Sequence, residues 1–323
     1  MSRFRAYGVI GIGVRNANWN ADFDGFPKMV GDTIIGSDKA LKYAWRYVEE
    51  KRNEKSVMYY KTLKEVEKSG AKTLVPRTLK EKYETTFNVE DLKKVKDKTS
   101  VVKNLLSVND CKTFGFTFAE ADANFESTGC VQFTQGLNVY KDSEAIEHTI
   151  LSPFQDGKAK EKNNGDESKQ STLGSMVIVD KAQYMYGVTV DPMALKKYVD
   201  LGYTEGFTKE DYKQFKKTAI VAATALNTAS KVGAENNFAV FVETDESLYL
   251  GNIANYVSYE YVDNKDVFDI NNLISLVKDC GERVTSVEIY YNPYTVKVKG
   301  VEVMDTLKVF NILTAGEMKN ENS

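Results

Sequence analysis

The start of the chain combines a buried strand with an amphipathic helix, and a long polar loop joins the two. The apolar run Ala6–Val14 contains three glycines, which is typical of a buried strand that another backbone approaches closely. A polar loop over residues 16–32 follows, and Ser37 then offers the side-chain oxygen of a helix N-cap. Apolar side chains recur in this helix at the spacing of a core-facing stripe: Leu41, Ala44, Trp45 and Val48.

The opposite face of this helix is basic. Lys39, Lys42 and Arg46 share it near the helix N-terminus, where unpaired N–H groups and the helix dipole already favour anions. Residues 1–103 carry 22 Lys and Arg against 14 Asp and Glu, a net charge of +8, whereas residues 104–323 carry a net charge of −11. These features predict a phosphate track on the helix and an anionic ligand on one side of the protein. The alternatives are a solvated helix face and a charge asymmetry that serves solubility alone.

The remaining pattern predicts an α+β fold of the ferredoxin-like or RNA-recognition kind, because its core order is strand, helix, strands, helix, strand. One predicted insertion follows the first helix, and another interrupts the middle strands. A capping box at Thr208 predicts a helix over 209–230, another helix is predicted over 88–98, and the acidic segment 263–269 is predicted to be a loop. Strands are predicted over 100–104, 113–118, 129–136, 182–190, 237–244, 256–262 and 286–291, the last turning at Asn292-Pro293-Tyr294 into a hairpin with 295–299.

Two further segments suggest contact surfaces. The strand 113–118 has a phenylalanine face, which favours core packing, although aromatic strands also stack nucleobases. Residues 156–171 are polar and rich in Gly, Asn, Lys and Glu, and apolar segments flank them on both sides. We therefore expect a long hairpin or arm that projects from the body and is mobile when free.

The sequence offers little for catalysis. It has one histidine, His148, three widely spaced cysteines, and no phosphate-binding loop of the GxxxxGK[ST] kind. Asp22, Asp24 and Asp32 cluster in the first loop, where they could bind a divalent ion but more often stabilise turns. We assign no catalytic residue, metal or cofactor. No apolar run reaches the roughly 18 residues of a membrane span and no signal peptide is evident, so we expect a cytoplasmic protein without a membrane partner.

Several segments, in order along the chain, resemble one known family. They are residues 16–28 (NANWNADFDGFPK), 36–42 (GSDKALK), 113–118 (TFGFTF), 125–133 (FESTGCVQF), 150–154 (ILSPF), 172–175 (TLGS) and 184–186 (YMY). The chain resembles CRISPR-associated family seven of the RAMP superfamily, the backbone subunit of the Cascade complex, in its type I-B form. Two departures are Asn18-Trp19-Asn20-Ala21 for an Asn-Pro-Asn-Gly-like loop and Gly129-Cys130-Val131-Gln132 for Gly-Pro-Val-Gln.

This resemblance implies a modified RNA-recognition (RRM) palm with an inserted helical lobe and a β-hairpin-like thumb. The implied parts are 1–53 and 183–245 for the halves of the palm, 54–110 for the lobe (fingers), 111–139 for palm strands, 140–182 for the thumb, and 246–323 for C-terminal strands and tail. Copies would stack as a helical filament along the spacer of a CRISPR RNA (crRNA) without cutting it, each thumb displacing one base. The implied partners are the crRNA, target DNA, further copies, the large subunit, the subunit capping the crRNA 5′ end and the crRNA-processing nuclease.

The resemblance also implies a set of RNA-binding residues. The palm would supply Arg15, Asn18, Asn20, Lys28, Ser37, Lys39, Lys42 and Arg46, with Gly129, Gln132 and Gln135 beside the RNA and Thr172 and Leu173 at the thumb. Related backbone subunits of type III systems cut RNA with an Asp in the first loop. A metal-dependent endoribonuclease using Asp22, Asp24 or Asp32 therefore stays open, as does a soluble enzyme with no RNA role.

Overall fold

The computed structural model describes residues 3–52, 57–68, 70–155 and 170–318, with residue 68 and the strand ends 152–155 and 170–173 described by their backbone. The strands are β1 (Arg5–Ala17), β2 (Met29–Val30), β3 (Thr33–Gly36), β4 (Leu63–Lys68), β5 (Ala71–Pro76), β6 (Gly115–Glu120), β7 (Ala123–Thr128), β8 (Val131–Phe133), β9 (Gly136–Asn138), β10 (Ala145–Gln155), β11 (Gln170–Val190), β12 (Ala234–Thr244), β13 (Ser258–Val262), β14 (Lys265–Asp269), β15 (Val284–Tyr291), β16 (Val296–Lys299) and β17 (Leu307–Asn311). The helices are α1 (Asp38–Arg52), α2 (Leu79–Phe87), α3 (Thr99–Leu105), α4 (Asn109–Phe114), α5 (Lys196–Asp200), α6 (Lys209–Ala219), α7 (Ala222–Ala225) and α8 (Asn271–Cys280). The mixed α and β composition predicted from sequence is confirmed.

Strand β1 lies in the middle of the largest sheet. It pairs antiparallel with β11 on one side, where Ile10 faces Tyr186, and with β12 on the other, where Ile10 faces Ala239. The sheet order is β17-β15-β12-β1-β11-β9-β3-β2, and β8 and β10 also pair with β11. The apolar run at the N-terminus therefore forms a buried strand, as the sequence predicts, and the structure places it inside the sheet.

The two faces of β1 are buried by different parts of the chain, because successive side chains of a strand point to opposite faces. Ile10 and Ile12 belong to the core cluster that contains the buried side chains of α1, α4 and α6. Tyr7 and Val9 belong to a second cluster built with α8 and β14. Gly8 is required by close approach, since a Cβ atom there would lie 2.8 Å from Cδ1 of Phe241.

The inserted lobe corrects two expectations. The helix predicted over 88–98 is not formed, because α2 ends at Asn88 in a left-handed conformation and only a 3-10 turn, Leu92–Lys94, follows. The capping box that begins α2, between Thr78 and Glu81, was not used in the sequence prediction. The strand predicted over 100–104 lies within α3 instead. Short apolar runs of this kind fit a helix or a strand equally well, and burial of Val101, Val102 and Leu105 decides for the helix.

The C-terminal region also differs from its sequence prediction. Residues 263–269 are not a loop, because β14 pairs with β13 through a two-residue turn in which Asp263 and Asn264 both have positive φ. The hairpin predicted at Asn292-Pro293-Tyr294 is not formed either. The chain leaves the large sheet after β15, and β16 then pairs in parallel with β14. Helix α8 was not predicted, although Leu273, Ile274 and Val277 bury a regular apolar face.

Three other predictions are confirmed in part. The capping box at Thr208 and Asp211 is present, but α6 ends at Ala219 and only the short α7 follows. The strand predicted over 113–118 begins at Gly115, because Thr113 and Phe114 end α4, and its phenylalanines are buried in the core. The strand predicted over 129–136 is divided between β8 and the start of β9.

A two-stranded arm extends from the large sheet. Strands β10 and β11 pair from Ala145 with Val179 outward to Gln155 with Gln170. The side chains of β10 are exposed from Ala145 to Leu151, as expected for a hairpin that leaves the body. Most of the polar segment predicted as an arm, residues 156–169, lies outside the described residues.

Candidate nucleic-acid interface

The first loop is tied to the N-terminus of α1 by hydrogen bonds between buried side chains. The Ser37 hydroxyl accepts the N–H of Ala40 at 3.2 Å and donates to Asn20 Oδ1 at 2.7 Å. The Asn18 amide donates to the Gly25 carbonyl at 2.9 Å. Ser37 thus caps the helix as predicted, whereas Asn18 and Asn20 shape the loop from within.

Asp38, in the first turn of α1, accepts hydrogen bonds from three neighbouring side chains. Its carboxylate accepts hydrogen bonds from Lys39 Nζ at 3.1 Å, Lys42 Nζ at 3.2 Å and Gln135 Nε2 at 3.2 Å. Partial burial opposes ionisation of Asp38, but these hydrogen bonds outweigh it and hold its pKa below the usual range. Asp38 is therefore ionised at neutral pH and fixes the side chains around it.

The same cluster includes the turn before β8. Lys42 Nζ lies 3.5 Å from Gln132 Oε1, and Gln132 Nε2 donates to the Gly129 carbonyl at 3.0 Å. The structure thus brings together five of the residues predicted to bind RNA: Lys39, Lys42, Gly129, Gln132 and Gln135. Asp38 was missed by the sequence prediction. The available signal was an acid placed four residues before a lysine in the first turn of a helix.

The third cation predicted on this helix face has a different environment. Arg46 Nε lies 2.9 Å from Asp110 Oδ2, and the Arg46 side chain is 16% exposed beside an Asp110 side chain that is 0% exposed. Asp110 also accepts the backbone N–H groups of Met58 at 2.8 Å and Tyr59 at 3.0 Å. Arg46 therefore links α1 to α4, while the Lys39 side chain remains 85% exposed. Phosphate binding by Arg46 stays a prediction.

Arg15 lies on the other face of the large sheet, in a polar network that joins distant segments. Its Nη2 lies 3.3 Å from the Tyr140 hydroxyl and 3.4 Å from Asp266 Oδ1, and its guanidinium lies 5.0 Å from the centre of the Tyr261 ring. Tyr259 donates to Asp266 at 2.7 Å and shares a hydrogen bond with Tyr140 at 2.7 Å. A pocket of about 170 Å³ adjoins Arg15. The network spans 251 residues of sequence, so no local pattern could reveal it.

Two of the first-loop aspartates, Asp22 and Asp24, accept hydrogen bonds from the loop backbone. Asp22 Oδ1 accepts the N–H of Phe23 and Asp24 Oδ1 accepts the N–H of Phe26, both at 2.9 Å. Both are local side-chain-to-backbone bonds, and the bond of Asp24 to the residue two positions on has the spacing of an Asx turn. Lys28 Nζ lies 3.7 Å from Asp22 Oδ1. Within the described ranges, no three His, Cys, Asp or Glu side chains are grouped so that they could hold a metal ion.

Lys231 contacts the first loop, and the sequence prediction missed this contact. Its Nζ donates to the Asn18 carbonyl at 2.7 Å, and the neighbouring backbone also pairs with the loop, since Asn18 N–H donates to the Ser230 carbonyl at 2.8 Å. Burial lowers the pKa of Lys231 to about 8. A single lysine in a polar segment gives no sequence signal for this role.

The predicted thumb residues can be placed only by their backbone. Thr172 pairs with Leu151 across the arm, and Leu173 lies beside it in β11. The structure describes residues 170–173 by their backbone alone. Among the helices of the described residues, none is long and apolar enough to cross a membrane.

Comparison with solved structures defines the class of fold. One similar chain is described as "CRISPR RNA-guided surveillance complex, pre-nicking", with a TM-score of 0.55 and 12% identity over 95% of this chain and 96% of that chain. A second, described as "CRISPR RNA-guided surveillance complex", has a TM-score of 0.47 and 13% identity over 98% and 95% of the two chains. At these identities the first likeness establishes a shared fold.

Sequence comparison gives the family. The sequence matches the family described as CRISPR-associated protein Cas7 over residues 4–288, which is most of its length. The chain therefore belongs to the Cas7 family, and the resemblance of its motifs to that family is confirmed. No curated protein matches the sequence.

Proposed function

We propose that this chain is the crRNA-binding backbone subunit of a type I surveillance complex, of subtype I-B. Membership of the Cas7 family supports the assignment as a crRNA-binding backbone subunit. The observation that carries the proposal is the cluster around Asp38, where Lys39 and Lys42 meet the amides of Gln132 and Gln135. This cluster forms from a helix N-terminus, strand β8 and the link between β8 and β9, which are 90 residues or more away along the chain.

The chemistry of this cluster suits the backbone of an RNA rather than its bases. Phosphates are bound by cations, amides and helix N-termini without regard to sequence. Asp38 neutralises part of the local charge, but two lysines and the helix dipole outweigh its single negative charge. Lys39 is the exposed cation, while Lys42 is largely buried and positions Gln132. Such a backbone-binding site tolerates any guide sequence and leaves recognition of the target to base pairing.

The topology supports the division into palm, lobe and thumb. The antiparallel order β12-β1-β11-β9, with α1 and α6 on one face, is the arrangement expected of an RNA-recognition palm. The hairpin β4–β5 with α2 and α3 falls in the segment assigned to the inserted lobe, and the β10–β11 arm falls in the segment assigned to the thumb, 140–182. We retain the remaining boundaries as part of this proposal.

We further propose that copies of the chain line the spacer of the crRNA as a filament in the cytoplasm and expose it to target DNA. The large subunit, the 5′-end-capping subunit and the crRNA-processing nuclease would complete the assembly. The chain itself would not cut nucleic acid. Support comes from Asp22 and Asp24, whose carboxylates are engaged by loop N–H groups.

Copurification tests this proposal. Protein expressed with a CRISPR array should retain crRNA and show a raised absorbance at 260 nm relative to 280 nm. The variant Lys39→Gln/Lys42→Gln should bind guide RNA more weakly for every spacer sequence and with a smaller dependence on salt. A matched control is Lys93→Gln/Lys96→Gln, which removes the same charge from exposed positions elsewhere. Equal RNA binding by the two variants would reject the proposed site.

A further inference from the structure

The inserted lobe contains an open cleft of about 490 Å³ beside the C-terminal end of α1. Lys51 from the last turn of α1, Arg77 directly after β5 and Lys82 of α2 line it. Its volume lies within the roughly 300–1,000 Å³ typical of ligand sites. It belongs to a different part of the molecule from the Asp38 cluster, which forms at the other end of the same helix.

Two of the three cations in this cleft lack a carboxylate partner among the described residues. Lys82 Nζ lies 3.1 Å from Glu50 Oε1, so that pair is neutral. Lys51 Nζ lies 5.6 Å from the centre of the Tyr47 ring, and Arg77 donates to the Leu63 carbonyl. Three other lysines near the lobe's hairpin and helix form ion pairs: Lys64 with Glu81, Lys72 with Glu65 and Lys80 with Asp91. The cleft thus concentrates uncompensated positive charge.

Hydroxyl groups complete the lining. Thr62 Oγ1 is buried and has no hydrogen-bond partner in the described part of the chain. Tyr60 stacks on Tyr43 at 5.7 Å, and burial together with a hydrogen bond to Tyr43 raises the pKa of Tyr60 to about 12. Its phenol therefore stays protonated at neutral pH. A buried hydroxyl without a partner is unfavourable, and an oxygen of a bound ligand would satisfy it.

We propose that this cleft binds a phosphate group of a nucleic-acid backbone, with Lys51 and Arg77 as cationic ligands and the Thr62 hydroxyl as a donor. Phosphate oxygens only accept hydrogen bonds, and an arginine fork matches them in geometry and charge. The proposal rests on the proposed function, because it assumes that a nucleic-acid strand passes along this protein. A guide RNA and a target DNA offer the same phosphodiester chemistry.

The distance between the two sites fits a strand that follows α1. Lys39 and Lys51 are twelve residues apart in one helix, which corresponds to about 18 Å along its axis. A stacked strand that advances about 3.4 Å per nucleotide covers this length in roughly five nucleotides. One continuous strand could therefore contact both ends of the helix.

The test measures binding of unstructured 30-nucleotide RNA and DNA oligonucleotides to the full chain by fluorescence anisotropy at several salt concentrations. The cleft variant is Lys51→Gln/Arg77→Gln, and the palm variant Lys39→Gln/Lys42→Gln is measured beside it. The control Lys93→Gln/Lys96→Gln makes the same change of charge outside the cleft. We expect the cleft variant to lose on the order of tenfold in affinity and to reduce the salt slope by about 0.7 for each bound copy, since one phosphate contact is lost, and the control to lose neither.

The RNA and DNA measurements distinguish the possible sources of the phosphate, and the palm variant distinguishes failure of the inference from failure of the proposed function. Loss with RNA alone assigns the phosphate to the guide, loss with DNA alone assigns it to the target, and either result supports the inference. A cleft variant equal to its control, beside a weakened palm variant, overturns the inference and leaves the proposed function standing. A weakened cleft variant beside an unchanged palm variant supports the inference and overturns the proposed function. Wild-type protein that binds no oligonucleotide overturns both.

Lysine acetylation of the wild-type chain, read by mass spectrometry, gives a second measurement that does not depend on a variant folding. Oligonucleotide should protect Lys51 and leave Lys93 reactive. Protection of Lys51 by raised protein concentration alone would show that an acidic surface of another copy occupies the cleft, and it would overturn the inference.

Discussion

The ion pair between Arg46 and Asp110 should contribute to stability, in contrast to the lysines on the same helix face. Asp110 is fully buried, so loss of Arg46 leaves a carboxylate without its cation inside the protein. Breaking a buried pair in this way costs about 3–5 kcal/mol. Two backbone N–H groups still donate to Asp110, which places the expected loss for Arg46→Met at the lower end, about 3 kcal/mol.

Thermal unfolding followed by circular dichroism measures this effect. A loss of about 3 kcal/mol corresponds to a fall in Tm of roughly 4–5 °C for a chain of this size, whereas Lys39→Ala at an exposed position should change Tm by at most ~1 °C. The double variant Arg46→Met/Asp110→Asn removes both charges. It should be more stable than the sum of the single changes predicts, by about 1 kcal/mol or more.

An Arg46→Met protein that unfolds within 2 °C of wild type, together with an additive double variant, would contradict a stabilising role for this ion pair. In that case Arg46 would not hold α1 to α4, and its predicted contact with phosphate would regain support. Loss of RNA binding by a fully stable Arg46→Met protein would point the same way.

Three further outcomes are expected. Removal of the helix cap in Thr208→Ala should lower the unfolding free energy by about 1 kcal/mol in urea titrations, and an unchanged midpoint would contradict the capping geometry. Burial lowers the pKa of Lys231 to about 8, so between that pH and the ordinary lysine value near 10.5 the unfolded chain binds one more proton than the folded chain. Wild type should therefore gain stability relative to Lys231→Met as pH rises through this range. A constant difference in stability between the two proteins would refute this expectation. Asp22→Ala, Asp24→Ala, Asp32→Ala and wild type should all leave labelled complementary RNA intact with Mg²⁺ or Mn²⁺, and metal-dependent cutting by wild type that one Asp variant loses would establish the nuclease instead.

Prediction from sequence succeeded where the pattern was local and strongly periodic. The run at the N-terminus could only be a buried strand, and the helix after Ser37 carried both its cap and its apolar stripe in contiguous residues. It failed where the apolar run was short, as in α3. It failed again where pairing involved a distant strand, as in β16, which joins β14 rather than its neighbour β15.

The candidate site divides in the same way. The sequence by itself determined the family, the buried first strand, the capped helix and the presence of cations on its face. Tertiary structure decided what each cation does: Asp38 positions Lys39 and Lys42 beside two glutamines, while Asp110 engages Arg46. The physical reason is that a charge acts through its surroundings, and residues brought together only by folding set the burial and partners of each side chain.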